Sequence, residues 1–122
     1  MPYFLRARTY LQYSQLLLED LLSGKKKLTF NHLREIFWQT LKALYAMTET
    51  KVPEKSPTPA EVINKILPTL NERERQKILS LNEIFFSDRT SDINSDINSK
   101  ELRKLLEEIM EVMEWVKGSL KI

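Results

Sequence analysis

Cysteine is absent from the 122 residues, histidine occurs once and glycine twice. Without cysteine there is no disulfide framework and no thiolate chemistry, a usage that fits a reducing cytoplasm. Long apolar runs are missing too. The longest, Ala43 to Met47, has five residues, against the ~20 that a membrane-crossing helix needs. The first residues do not read as a signal peptide, because Arg6 and Arg8 interrupt them and Leu16–Leu18 run straight into Glu19 and Asp20. Charge of one sign is also scarce: the formal net charge is +2, with 7 basic and 4 acidic side chains in residues 1–50 and 12 and 13 in residues 51–122. A dedicated nucleic-acid footprint concentrates more positive charge than this on one element, so the charge permits nucleic acid without indicating it. The expectation is one soluble cytoplasmic domain over residues 1–122, without membrane association or cofactor, and large enough to fold without a disulfide or a metal staple.

What is present is helical periodicity. A first helix is expected from about Tyr3 to Leu22, with Phe4, Ala7, Leu11, Leu18 and Leu21 on one stripe and Tyr10 and Leu17 widening it. Gly24 ends it in the position that calls for a left-handed residue. A second runs from about Thr29 to Thr48 on Leu33, Ile36, Phe37, Leu41, Leu44 and Met47, with Phe30, Trp38 and Tyr45 adding bulk. Joined by a short turn, the two should pack antiparallel. Pro53 and Pro57 make residues 49–58 an extended link. Thr58-Pro59-Ala60-Glu61 then reads as a helix start, with threonine as N-cap, proline at the first helical position and glutamate three residues on to close a capping box. That short helix carries Val62, Ile63, Ile66 and Leu67 and stops near Pro68. Asn71-Glu72-Arg73-Glu74 opens a medium helix through Ile78, Leu79, Leu81, Ile84 and Phe85. Residues 87–99, where Ser-Asp-Ile-Asn occurs twice in tandem, read as a mobile loop. A last helix from about Lys100 to Lys117 carries Leu102, Leu105, Leu106, Ile109, Val112, Met113 and Val116, and Gly118 closes it. The fold class is an all-α, up-and-down bundle of four main helices with an additional short helix. Its aromatic-rich second helix and long last helix hold more apolar surface than one small bundle covers, so a homodimer is expected.

Few residues offer chemistry. Lys25, Lys26 and Lys27 form the one cationic run and are a candidate phosphate grip, although cations just past a helix C-terminus also offset its dipole. Asp92, Asn94, Asp96 and Asn98 imitate the opening of a calcium loop. Such a loop needs glycine at its sixth position and glutamate at its twelfth, where this chain has Ile97 and Arg103, so a helix-capping loop is the better reading. His32, with no second histidine to complete a metal set, reads as a surface residue. Phe30, Phe37, Trp38 and Tyr45 could stack on a base or a ring, but at helical spacing they better fit a core or a dimer seam, and Thr40 fits a bond to its own helix backbone.

At Trp38-Gln39-Thr40-Leu41-Lys42-Ala43-Leu44 the chain resembles the HEPN family of small helical bundles, whose second helix commonly carries a glutamate-lysine-alanine-leucine-lysine-alanine-leucine stretch. The proline-containing link, the short helix at Thr58–Leu67, the medium helix ending in Phe85-Phe86 and Arg89 after it follow the same layout, so the resemblance covers essentially the whole chain. It identifies a standalone archaeal or bacterial member. The resemblance implies a bundle that associates as a homodimer, often beside a minimal nucleotidyltransferase in a toxin–antitoxin pair. Many members are metal-independent ribonucleases using arginine, four to six intervening residues, and histidine. Here the matching arginine is Arg89, and the partner positions hold Asn94, Ser95 and Asp96; Thr90-Ser91 replaces the family's tyrosine-proline. Asparagine and serine cannot cycle a proton near neutral pH, and aspartate would repel the phosphate. The resemblance therefore implies a non-catalytic protein binding nucleotide, RNA or a partner protein at the dimer cleft, with Arg89 and Lys42 as phosphate contacts and Lys25, Lys26 and Lys27 as a secondary basic patch. Two alternatives stand beside it: a divergent metal-independent ribonuclease using Arg89, and a purely structural homodimer or antitoxin partner.

Overall fold

The computed structural model describes residues 4–48, 57–87 and 90–119, and every regular element among them is helical. In chain order these are α1 (Phe4–Leu22), α2 (Phe30–Thr48), α3 (Pro59–Ile66), α4 (Glu72–Phe86), α5 (Thr90–Asp96) and α6 (Ser99–Ser119), with a 3-10 turn, Leu67–Thr69, between α3 and α4. The all-α bundle expected from the periodicity is the fold the chain adopts, with α1, α2, α4 and α6 as its main helices. Pro53 and the rest of residues 49–56 lie outside the described residues, as does the side chain of Phe4.

The helix starts follow side-chain chemistry. The Glu61 N–H donates to Thr58 Oγ1 at 3.2 Å, with Pro59 behind it at the first helical position; the Glu61 side chain makes no return bond to Thr58 among the described residues, so this capping box is only half made. At α4 the Glu74 N–H donates to Asn71 Oδ1 at 2.8 Å and the Asn71 N–H donates back to Glu74 Oε1 at 3.0 Å, a complete capping box. Asn98 opens α6 in a similar way, accepting from the Glu101 N–H at 2.9 Å. Each such cap is worth about 1 kcal/mol. Gly24, at φ 84°, ends α1 as expected.

Two further expectations need correction. Thr90–Asp96 forms helix α5 in place of the expected loop. Its tandem repeat has a period of four residues, close to one helical turn, so Ile93 and Ile97 recur one turn apart and both pack against the core. The short polar residues between them hide that stripe. Gly118 does not close α6: the helix continues to Ser119, and Gly24 is the one glycine with positive φ.

The bundle is organised around α2. Ten of its residues are buried: Phe30, Leu33, Ile36, Phe37, Thr40, Leu41, Ala43, Leu44, Tyr45 and Ala46. The α1 helix lies antiparallel along it, and the two are joined by a polar pair in which Ser14 and Thr40 are both fully buried. Thr40 Oγ1 donates to the Ile36 carbonyl at 2.8 Å, as expected for a threonine on the apolar face, and Ser14 Oγ donates to the Tyr10 carbonyl at 3.1 Å. The two hydroxyl oxygens are 3.2 Å apart. No buried side-chain nitrogen or oxygen among the described residues lacks a partner. On the other side Phe85 of α4 meets Phe30 and Phe37 at ring centroid distances of 5.0 and 5.5 Å. Helices α4 and α6 run antiparallel, linked by Arg73 to Glu111 (3.3 Å) and by Lys77 to Glu108 (3.7 Å) and Glu111 (3.4 Å).

The aromatic side chains of α2 are therefore largely taken up by the monomer's own core. Among the described residues the large apolar side chains left exposed are elsewhere: Tyr13, Leu16 and Leu22 on α1 and Leu79 on α4. Among the described residues no helix is long and apolar enough to cross a membrane.

Leu41 and Ile109 are fully buried, so replacing either with alanine should cost ~2–5 kcal/mol, read by urea unfolding. The glycines should respond with opposite signs. Gly24→Ala forces a side chain into left-handed backbone and should destabilise by ~1 kcal/mol, whereas Gly118→Ala, with nothing within 4 Å of the added methyl, should stabilise by ~0.5 kcal/mol. A loss at Gly118 would contradict the helical geometry there.

Candidate functional site

One strip of α2 is left uncovered. Asn31, Arg34, Glu35, Trp38 and Lys42 recur at three- and four-residue spacing, so they share one face, and all are exposed or half-buried. Neighbouring helices complete the strip with aromatic rings. Lys42 Nζ sits 4.9 Å from the ring centroid of Tyr10 on α1 and 5.3 Å from that of Trp38. Trp38 meets Phe86, the last residue of α4, edge to face at 5.8 Å. Phe86 packs near-parallel on the buried Phe37 at 6.1 Å and carries the Arg34 guanidinium 5.2 Å above its ring. Three rings and two cations thus form one continuous series across three helices: Tyr10, Lys42, Trp38, Phe86, Arg34. Each cation–ring contact at such an exposed position contributes about 0.5–1 kcal/mol.

Beside this strip is a pocket of about 420 Å³ lined by Asn31, Arg34, Glu35, Trp38, Pro59 and Phe86. Three flat apolar walls meet a guanidinium, a carboxylate and an amide there. Glu35 is oriented from behind, because Gln39 Nε2 donates to its Oε1 at 2.8 Å. A second hollow, about 500 Å³, lies at the opposite end of α2, among Leu44, Met47, Thr69, Leu70 and Trp115. Its walls are mostly apolar.

Of the residues singled out in the sequence, Lys42 lies on the strip. Arg89 is outside the described residues. The residues flanking it are anchored: Thr90 Oγ1 donates to the Ile84 carbonyl and accepts from the Ser87 N–H, both at 3.0 Å, and Ser87 Oγ donates to the Glu83 carbonyl. Lys25, Lys26 and Lys27 are exposed in the α1–α2 turn, where Lys26 Nζ approaches Asp20 at 3.9 Å. His32 ties this lysine turn to the start of α2, its Nδ1 donating to the Lys27 carbonyl at 2.7 Å. The calcium-like run falls mostly within α5, whose helical backbone cannot wrap an ion as a calcium loop does. Among the described residues no three His, Asp or Glu side chains gather as metal ligands.

Sequence reasoning missed Arg34 and Tyr10 as members of the strip. The four-residue spacing of Arg34, Trp38 and Lys42 was a usable signal for Arg34. Nothing local announced Tyr10, which reaches Lys42 only through the antiparallel register of α1 on α2.

The fold and the strip define an all-α up-and-down bundle presenting cations and aromatic rings on its central helix. No family model, curated protein or solved structure matches the chain.

Lys42→Met keeps the aliphatic stem and removes the charge, so it should cost ~1–2 kcal/mol, at ~0.5–1 for each of the two ring contacts. A double-mutant cycle with Trp38→Leu, followed by thermal unfolding, should return a coupling of the same sign; additive losses would show that the pair does not interact.

Proposed function

We propose that this protein is a non-catalytic HEPN-type bundle that binds a nucleotide or single-stranded RNA across the exposed strip of α2, with Lys42 and Arg89 contacting phosphate. The observation that carries this reading is the continuous series of aromatic rings and cations from Tyr10 to Arg34. Unpaired bases stack on aromatic faces and their phosphates seek nearby cations, so single-stranded nucleic acid uses both halves of such a surface at once. Phe86 at the end of α4 leads, three residues on, to Arg89. The lysine turn, held to α2 by His32, supplies further positive charge for an extended strand.

The same reading includes a homodimer working in the cytoplasm beside a minimal nucleotidyltransferase as antitoxin or toxin partner. The apolar surface available for self-association is on α1, where Tyr13 and Leu16 stand one turn apart at 47% and 61% exposure. Light scattering at micromolar concentration should give twice the 14.4 kDa of the chain, and Leu16→Glu should return it to a monomer. A native chain that stays at the single-chain mass would remove the dimer.

The functional test separates cutting from binding. With EDTA present, a fluorescein-labelled single-stranded RNA should remain intact. Arg89→Ala and Lys42→Ala should each weaken its binding by ~1.5–3 kcal/mol, the worth of a charge-assisted phosphate contact. Metal-independent cleavage that disappears in Arg89→Ala would instead establish the divergent ribonuclease. Unchanged binding in both variants would move the site to Lys25–Lys27.

A further inference from the structure

We infer that the pocket between α2, Pro59 and Phe86 takes a guanine base, held by its Watson–Crick edge on Glu35. This rests on the nucleotide or RNA reading above and names which base that surface selects.

The walls decide what shape fits. Trp38, Phe86 and Pro59 make three apolar sides of a pocket of about 420 Å³, which suits a flat ring better than a chain. Phe86 is engaged by Phe37 beneath and Arg34 above, so its ring serves as a fixed wall. The guanidinium of Arg34, 5.2 Å from the centre of that ring, is held at the pocket's edge with its N–H donors.

The polar groups decide which ring. Glu35 and Asn31 are one helical turn apart on the same face of α2, and both line the pocket. Glu35 Oε1 accepts from Gln39 Nε2, which leaves Oε2 and the second lone pair of Oε1 to accept from a ligand; neither Oε2 nor the Asn31 amide has a hydrogen-bond partner among the described residues. An ionised carboxylate can only accept. Guanine offers it two adjacent donors, N1–H and the N2 amino group. Adenine presents its bare N1 acceptor at the same position, and uracil flanks its single N3–H with two carbonyl oxygens, so both place lone pairs against the carboxylate. Asn31 and Arg34 then face guanine's acceptors, O6 and N7, the pairing that arginine makes with guanine elsewhere. Glu35 and Arg34 also balance each other's charge, as a neutral base requires.

A free guanine nucleotide and an unpaired guanine in RNA present this same edge, and one experiment distinguishes them. Fluorescence anisotropy of the full chain would be measured with a labelled uridine heptamer carrying one central guanine, and with its counterpart carrying adenine. The guanine oligomer should bind about tenfold tighter, the discrimination expected of one bidentate contact. Glu35→Gln, a near-isosteric change at a half-buried surface position, should remove most of that preference, because a neutral amide can donate to adenine N1 as well as accept from guanine; circular dichroism confirms that the variant is folded. Competition by GMP at concentrations where AMP is inert assigns the site to free nucleotide, and a guanine preference that GMP cannot compete for assigns it to RNA. Equal affinity for the two oligomers, or full preference retained in Glu35→Gln, overturns the guanine site. If binding in that case still falls in Lys42→Ala, the broader reading survives, whereas failure of every oligomer to bind overturns both.

Discussion

Phe85 lies fully buried between Phe30 and Phe37, and this contact holds the end of α4 against the first half of the central helix. A buried phenylalanine contributes roughly 1.5–3 kcal/mol by area, and tilted ring pairs add ~0.5–1.5 kcal/mol more. Its importance is also positional. With Phe85 held, its neighbour Phe86 is forced to the rim of the bundle, where it lies over Phe37 and meets Trp38 and Arg34. Adjacent residues on one helix thus serve the core and the surface, and the strip on α2 depends on where the core seats α4.

The other flank of α2 is set differently. Apolar packing between α1 and α2 tolerates small slides, because leucine and alanine contacts have little directional preference. Ser14 and Thr40 do not tolerate them. Both are fully buried with their oxygens 3.2 Å apart, each bonded to a carbonyl of its own helix, and Ser14 Oγ also lies 3.4 Å from the Ile36 carbonyl of α2. A slide of one helix along the other would break this polar contact and set an apolar side chain against each hydroxyl. That register also places Tyr10, one turn before Ser14, beside Lys42, two residues beyond Thr40 on α2. A core polar pair thereby determines a surface cation–ring contact.

Most of the architecture was legible in the chain because it is written in local chemistry. The periodicity of α1, α2, α4 and α6, the caps at Thr58 and Asn71, and the left-handed Gly24 all depend on residues within a turn or two of one another. The misses share another cause. Helix α5 owes its stability to Ile93 and Ile97 meeting α4 and α6, and tertiary packing overrode the turn-forming character of Ser, Asp and Asn. Exposure on α1 could not be read either: Leu16 and Leu17 are adjacent and chemically identical, yet one is 61% exposed and the other 7%. Lys42 was visible as a candidate, but its ring partners come from α1 and from its own preceding turn. Arg34 and Phe86 became neighbours only when α4 was docked.

What distinguishes the strip from an ordinary charged helix face is how much of it is already ordered. A free surface lysine or arginine loses rotamer freedom when it grips a ligand, at a cost of ~0.5–1.5 kcal/mol for each side chain immobilised. Lys42 rests between two rings, Arg34 rests on a third, and Glu35 is held by Gln39. Much of that ordering has therefore taken place during folding, supported by the burial of α2 itself. The modest net charge is consistent with this arrangement. A surface with few cations cannot rely on long-range attraction, which salt screens within about 10 Å; it must obtain affinity from contacts that are short, directional and preformed. Rings that fix the cations supply that order, and they sit on the helix whose other faces are the most deeply buried in the molecule.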